Sequence, residues 1–376
     1  MELIFWILAF MVVYVYLLYP LFVGIPGMMK KSAPAPDPDI TPSVSLIITA
    51  YNEENVIREK LENSLLLDYP EGKLEIMVVS DGSTDNTENI VKEYADKGVK
   101  LYSEKRAGKT TAQNNTVGKA GGEIVVFSDA NGMYKKDAIK KLVRHFADET
   151  VGCVCGELLY SDSPENSAGV ENLYWKYERF LKRMESRCGT QLGAAGSIYA
   201  VKKELYVPLD RDLISDFTEP LKIYEKGHRV VYEPESLSFE KTSSSTSAEL
   251  RRKVRITTRG IHAVFAVKNL LNPLKHGFFS IQLISHKLLR WLVPILLILL
   301  FILNLLLIHK SLYCMLMLVQ VLFYLLSLAG LITEKTKYDL KIFSIPFYFC
   351  MVNFAALIGW YNLLKGEKET TWDTSR

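Results

Sequence analysis

Short apolar runs alternate with amphipathic helical stretches through the middle of the chain. The run at 44–48 is followed by a helical pattern at 53–67, and the run at 74–79 by a helix that begins after Ser83-Thr84. Apolar strands separated by helices are typical of parallel βαβ units. The pattern therefore predicts an α/β domain with a mostly parallel, Rossmann-like sheet, and its later strands are expected at 99–102, 124–127, 151–154 and 229–232.

Helical periodicity continues through the rest of this domain, which is expected to span 43–250. It predicts helices at 110–118, 135–147, 165–187 and 216–225. The segment Gly193-Ala194-Ala195-Gly196-Ser197 interrupts the pattern between the last two. Residues this small allow a ligand or another chain to approach closely.

Long uncharged runs lie on either side of the domain. The first, within 1–29, is long enough to cross a hydrocarbon core of about 30 Å, and it has neither the basic start nor the cleavage site of a signal peptide. Three more follow one another within 291–364. We therefore expect four transmembrane helices and a multi-pass protein of the cell membrane.

Charges beside these runs predict their orientation. Lys30 and Lys31 follow the first run, so the positive-inside rule places the α/β domain in the cytoplasm. A Pro-rich linker at 30–42 joins run and domain. The segment at 251–290 is basic and amphipathic and is expected to lie on membrane lipid at the cytoplasmic face. The loop at 334–341 is then expected inside and the polar tail at 365–376 outside.

The composition fits a chain with soluble and membrane parts. It is 49% hydrophobic and also 23% charged. The net charge of +3 gives no basis for a nucleic-acid partner. The 5 cysteines lack metal-ligand spacing, so we interpret them as free thiols in a reducing compartment.

Acidic and amide side chains follow several of the predicted strands. Each cluster alone is consistent with a turn or a helix N-cap. Together they would meet at the carboxyl edge of a parallel sheet, where ligands bind, and their oxygens suit Mg²⁺ or Mn²⁺. The clusters are Tyr51-Asn52-Glu53-Glu54, Ser80-Asp81-Gly82-Ser83-Thr84-Asp85 and Ser128-Asp129-Ala130-Asn131.

A basic turn, Arg106-Ala107-Gly108-Lys109, precedes the helix predicted at 110–118. Positive charge and a glycine at the start of a helix are typical of phosphate sites. The turn lacks the spacing of a P-loop, and a solvated basic turn is the alternative interpretation.

These motifs, in this order, resemble those of membrane-bound family 2 glycosyltransferases, such as the synthases of hyaluronan, chitin, cellulose and poly-N-acetylglucosamine. The resemblance covers about 44–259 and the layout of the flanking runs. It implies an A-type nucleotide-sugar glycosyltransferase fold flanked by transmembrane helices, and an inverting hexosyltransferase with a UDP-linked donor. The motifs that carry it are Ala50-Tyr51-Asn52-Glu53-Glu54, Val79-Ser80-Asp81-Gly82-Ser83-Thr84-Asp85, Arg106-Ala107-Gly108-Lys109, Phe127-Ser128-Asp129-Ala130-Asn131 and Ser215-Asp216-Phe217.

The resemblance also implies roles for individual residues at the donor site. Tyr51, Glu53 and Asp81 would hold the base and ribose of the nucleotide. Asp129 and Asn131 would occupy the metal-binding D-x-D motif, where the amide lowers the ligand charge but can still coordinate Mg²⁺ or Mn²⁺. Lys109, Arg255 and Arg259 would face the diphosphate.

Asp216 matches the catalytic base of the family. The reaction needs a base because the acceptor hydroxyl must lose its proton as it attacks the anomeric carbon. A single displacement of this kind inverts the anomeric configuration. The alternative interpretation of Asp216 is an N-cap of the helix that it begins.

Two alternatives concern acceptor and activity. Polymerising members carry Q-x-x-R-W, whereas the corresponding Thr257-Thr258-Arg259-Gly260 has glycine in place of tryptophan, which argues against processive polymerisation. Three spans after the domain are few to line a polysaccharide channel, unless the protein forms a homo-oligomer. The acceptor is therefore either the non-reducing end of a polysaccharide or a lipid, such as a polyprenyl phosphate or a diacylglycerol, that the basic amphipathic segment would present at the interface. One hypothesis belongs to another functional class. In it, the chain is a non-catalytic membrane protein that binds nucleotide sugars, or a partner of a polysaccharide synthase.

Overall fold

The computed structural model describes residues 1–30, 36–160, 170–241, 246–333 and 341–367. The predicted loop at 334–341 and the predicted tail at 365–376 fall largely outside these ranges. Part of the predicted linker at 30–42 does so too.

An eight-stranded mixed sheet forms the centre of the domain, in the order β3-β2-β1-β4-β7-β6-β8-β5. Strands β3, β2, β1 and β4 are parallel, as are β6 and β8, whereas β7 runs antiparallel to both of its neighbours. The predicted α/β class with a mostly parallel sheet is confirmed. The strands are β1 Val44–Ala50, β2 Leu74–Asp81, β3 Val99–Glu104, β4 Ile124–Asp129, β5 Met133–Tyr134, β6 Val151–Tyr160, β7 Tyr199–Lys202 and β8 Arg229–Glu240.

Helices cover both faces of the sheet. The apolar side chains of β1 point alternately to the two faces, so both faces are buried. Leu46 and Ile48 join a core with α2, α3 and α5, while Ile47 points to the opposite core with α4 and α7. The helices are α1 Glu2–Met29, α2 Ile57–Leu65, α3 Thr87–Lys92, α4 Lys109–Val117, α5 Ala138–Val143, α6 Val170–Cys188, α7 Ser215–Glu225, α8 Thr246–Ala266, α9 Pro273–His276, α10 Phe278–Leu306, α11 Ser311–Thr333 and α12 Lys341–Lys365.

Strands β6 and β8 are longer than the apolar pattern predicts. Their second halves carry polar residues that are nevertheless buried, such as Glu233 and Ser236. Glu233 is paired with Arg144 at 2.6 Å, and the Ser236 hydroxyl donates to the carbonyl of Ala138 at 2.9 Å. Buried polar groups with partners do not appear as an apolar run in the sequence.

Helices α1, α10, α11 and α12 are each long and apolar enough to cross a membrane. Helix α10 begins at Phe278, so the boundary predicted at 291 falls inside a continuous helix. Helix α1 is anchored to α6, because the fully buried Tyr19 donates a hydrogen bond to Glu185 Oε1 at 2.5 Å. Helix α8, from the predicted interfacial segment, packs on α12, where Asn362 donates to the hydroxyl of Thr258 at 3.4 Å.

Candidate active site

A cleft of about 1870 Å³ runs from the carboxyl ends of β1 and β4 to the membrane-side helices α8, α10 and α12. Most of the residues proposed from sequence line it together. Tyr51 and Asp81 lie beside this lining rather than in it. The lining residues among the sequence-based candidates are Glu53, Lys109, Asp129, Asn131, Asp216, Arg255 and Arg259.

Arg106 contacts both Tyr51 and Asp81. The Asp81 carboxylate has no exposed surface and accepts hydrogen bonds from Arg106 Nη1 at 2.6 Å and from the backbone N–H groups of Ala107 and Gly108 at 2.8 and 3.0 Å. The Arg106 guanidinium carbon lies 3.3 Å from the centre of the Tyr51 ring. Asp81 therefore fixes the basic turn, and Arg106 stacks on the ring proposed to hold the base.

Lys109 links the basic turn to the end of β4. It is the first residue of α4, and its Nζ forms an ion pair with Asp129 Oδ1 and a 3.4 Å hydrogen bond to the carbonyl of Gly196. Burial alone lowers the pKa of Lys109, but Asp129 and Asp216 outweigh this and hold the pKa above its ordinary value. Lys109 of the basic turn therefore faces the cleft, and the turn is not a solvated surface turn.

Asp129 and Asn131 offer oxygen ligands to a hard cation. Both line the cleft, and Asp129 already holds a positive group, the Lys109 ammonium. Among the described residues, no group of three or more His, Cys, Asp and Glu side chains forms a metal centre. A carboxylate and an amide oxygen fit Mg²⁺ or Mn²⁺ when phosphate oxygens complete the coordination.

Asp216 is the second residue of α7, one position past the helix start. Ile214 occupies the N-cap position without a side-chain cap, so the N-cap interpretation of Asp216 is wrong. Within the described parts of the chain, Asp216 Oδ1 has no hydrogen-bond partner. Burial raises the pKa of Asp216; Asp129 adds to this, while Lys109 and Arg259 oppose it. A sheltered carboxylate with a raised pKa is suited to accept a proton.

The small-residue segment holds Asp216 and Lys109 close together. The N–H of Ala194 donates to the backbone carbonyl of Asp216 at 2.7 Å. A Cβ on Gly196 would lie 2.5 Å from Asp216 Oδ2 and 3.0 Å from Lys109 Nζ. Only glycine at this position leaves space for both charged groups.

Arg259 is hydrogen-bonded to two segments that position the site. It is 6% exposed, and its Nη2 donates to the carbonyl of Leu213 at 2.5 Å and to the hydroxyl of Thr110 at 3.2 Å. These contacts tie the loop before Asp216 to the first turn of α4. Arg255, one helical turn earlier on α8, lines the cleft.

A profile of the family described as "Glycosyl transferase family 2" matches residues 45–206, which include β1, β2, β4 and most of the site. The chain contains a glycosyltransferase family 2 domain. The chain is similar to the probable glycosyltransferase YdaM of Bacillus subtilis, with 26% identity over 230 residues, or 57% of this chain and 54% of that protein. It is also 23% identical over 252 residues to the poly-β-1,6-N-acetyl-D-glucosamine synthase of Staphylococcus aureus, covering 65% of this chain and 60% of that protein. It thus spans little more than half the length of these relatives.

The fold extends beyond the family 2 domain into the apolar helices. The structure of the mannosyltransferase PcManGT from Pyrobaculum calidifontis, in complex with GDP-Man and Mn²⁺, superposes with a TM-score of 0.74 over 97% of this chain and 99% of that one, at 22% identity. The A-type glycosyltransferase fold with flanking apolar helices is therefore confirmed.

Sequence reasoning missed Trp291 as a residue of the cleft. A Cβ on Gly260 would lie 2.8 Å from Trp291 Cη2, and the indole meets the Phe217 ring edge-on at 6.2 Å. Trp291 lines the cleft. An indole therefore lies against Gly260, supplied by α10 rather than by the next residue of α8. Its only sequence signal is its position at the start of an apolar run, which is also typical of an interfacial anchor.

Glu219, one turn beyond Asp216, is expected to make the stability of the fold depend on pH. It is fully buried and accepts a hydrogen bond from the N–H of Val207 at 2.9 Å, and burial raises its pKa to about 8. A raised carboxyl pKa favours the protonated folded state. The free energy of unfolding is therefore expected to fall as pH rises from about 4.5 to 8, by on the order of 5 kcal/mol.

We expect Glu219→Gln, which cannot ionise, to flatten the dependence of the thermal unfolding midpoint on pH across this window. Unfolding in detergent at a series of pH values measures it. Glu71→Gln, at an exposed carboxyl, is the matched control. Parallel pH profiles for the parent and Glu219→Gln would show that Glu219 does not cause the dependence.

Proposed function

We propose that this protein is an inverting membrane glycosyltransferase that moves a sugar from a nucleoside diphosphate sugar, UDP-linked in the first instance, to a polysaccharide or lipid acceptor. One observation carries the proposal. Asp129, Lys109 and Asp216 meet in one cleft, with Gly196 in close contact with both Lys109 and Asp216. A phosphate-binding cation, a metal-binding carboxylate and a buried carboxylate base are the groups that this transfer needs.

At the donor end, Tyr51, Glu53 and Asp81 would hold the base and ribose. Lys109 lies at the N-terminus of α4, where positive charge and backbone N–H groups favour the diphosphate. Arg255 would reach the same phosphates from α8, with Arg259 behind it. Asp129 and Asn131 would hold Mg²⁺ or Mn²⁺, which would neutralise negative charge on the leaving diphosphate.

At the acceptor end, Asp216 is the proposed general base. The acceptor oxygen attacks the anomeric carbon, its proton passes to the Asp216 carboxylate, and the bond from that carbon to the diphosphate oxygen breaks. Attack from the face opposite the leaving group inverts the configuration. The raised pKa of Asp216 favours proton uptake at this position.

We infer a multi-pass protein of the cell membrane with the family 2 domain in the cytoplasm. The four apolar helices and the position of Lys30 at the domain end of α1 support this orientation. A homo-oligomer would be needed if the product were a polysaccharide that crosses the membrane through this protein.

A donor panel tests the proposed function directly. The purified full chain in lipid nanodiscs is incubated with UDP- and GDP-sugars and a total lipid and polysaccharide extract, with Mg²⁺, Mn²⁺ or EDTA. We expect metal-dependent release of one nucleoside diphosphate and a labelled product, and EDTA should abolish both. Calorimetric binding of UDP without turnover of any donor would favour the non-catalytic alternative instead.

A further inference from the structure

The two ends of the cleft differ in charge. Its donor end is lined by acids that include Glu53, Glu54, Glu59, Asp85 and Asp129. Its membrane end, formed by α6, α8 and α10, is lined mainly by cations. These are Lys182, Arg251, Arg252, Lys253, Lys287 and Arg290.

In the part of the chain that the structure describes, protein carboxylates pair directly with some of these cations, but not with Lys182, Arg251 or Lys287. Glu249 pairs with Arg252 at 2.8 Å and with Lys253 at 3.5 Å, and Glu178 forms an ion pair with Arg290. Among the described residues, Lys287 has no hydrogen bond and no carboxylate within ion-pair distance, although Glu178 and Glu185 lie near enough to attract it. Its Nζ lies 5.6 Å from the centre of the Phe217 ring, next to the proposed base. An unpaired cation in a sheltered cleft favours an anionic ligand.

Lys287 belongs to a distorted part of an apolar helix. Residues Ile284–Leu289 form a π-helical turn within α10, a feature that is frequent at functional sites. Trp291 follows this turn and approaches the same Phe217 ring. Lys287 and Trp291 thus reach the neighbourhood of Asp216 from one helix.

The membrane end of the cleft is lined in part by apolar helices. Tyr16 of α1 and Val352, Ala356 and Ile358 of α12 line it, and both helices are long and apolar enough to span a bilayer. A ligand can therefore combine an anionic head beside Lys287 with a chain between these helices.

We propose that Lys287, Trp291 and Phe217 form an acceptor subsite for a phosphate-bearing lipid. The inference rests on the proposed function, because it assigns the acceptor class of that site. Lys287 binds the phosphate, Trp291 and Phe217 contact the apolar or sugar portion, and a hydroxyl of the acceptor reaches Asp216. Among the two acceptor classes, this arrangement selects the lipid.

Ligand binding by the purified full chain in detergent tests the subsite without requiring turnover. The probes are farnesyl phosphate, farnesol, inorganic phosphate and UDP, measured by native mass spectrometry and calorimetry. We expect farnesyl phosphate to bind more tightly than farnesol or inorganic phosphate. Lys287→Met should lower the affinity for farnesyl phosphate about 10- to 100-fold and leave the affinities for farnesol and UDP unchanged.

Further variants separate a phosphate contact from a structural effect. Lys287→Arg should restore farnesyl phosphate binding, and Trp291→Ala should lower the affinity for both farnesyl ligands. Lys92→Met, at an exposed lysine, should leave every affinity unchanged. Equal binding of farnesol and farnesyl phosphate would overturn the proposal. So would a loss of UDP affinity in Lys287→Met, because the lysine would then belong to the donor site. Failure of the transferase proposal would appear in the donor panel, which these binding measurements do not use.

Discussion

Asp216→Asn is expected to reduce kcat about 10²- to 10⁴-fold, the usual contribution of a positioned general base, while the KM for the donor stays near its original value. The amide keeps the shape of the side chain but cannot accept the proton. The carboxylate caps no helix, so its loss should not lower the unfolding temperature. Initial rates of nucleoside diphosphate release, with donor and acceptor varied in turn, measure the effect.

A nearby aspartate provides the matched control for this substitution. Asp210 is exposed in the loop before α7, and Asp210→Asn removes the same charge without touching the cleft. It should leave kcat unchanged. If Asp216→Asn retained full activity, another group would have to deprotonate the acceptor, and the inverting mechanism proposed here would lose its base.

The convergence of the acidic motifs could be predicted because it follows from local pattern and parallel register. Strand β1 lies between β2 and β4, and its Thr49 pairs with Val79 on one side and Asp129 on the other. Strands in parallel register end at the same edge, so side chains that follow them meet there. Period-two alternation and turn residues are enough to predict this part of the site.

Contacts between distant segments could not be predicted in this way. Phe217 and Trp291 meet across the boundary between the α/β domain and an apolar helix, and neither residue shows a distinctive local pattern. Arg106 stacks on Tyr51 from the basic turn, which is held by Asp81 of a different strand. Strand β7 is short and follows the small-residue segment, so its tertiary pairing with β4 and β6 determines its conformation.

Gly196→Ala is expected to cost about 10²-fold in kcat, because a shift of catalytic groups by about 1 Å has that effect. The new methyl group would overlap Asp216 Oδ2 at 2.5 Å and crowd Lys109 Nζ at 3.0 Å. Both atoms are ends of side chains, which can rotate away without disturbing the backbone. The base and the proposed phosphate-binding cation would therefore move while the fold remains intact.

The thermal unfolding midpoint, measured beside kcat, separates this explanation from a packing defect. Gly118→Ala is the matched control, because Gly118 lies at the end of α4 and its added Cβ would meet no atom within 4 Å. Gly196→Ala should resemble Gly118→Ala in stability and differ from it only in turnover. A large fall in the unfolding midpoint would mean instead that the substitution displaces the backbone of the small-residue segment. Unchanged turnover would mean that Asp216 and Lys109 need not approach each other this closely, and the assignment of both to one reaction centre would fail.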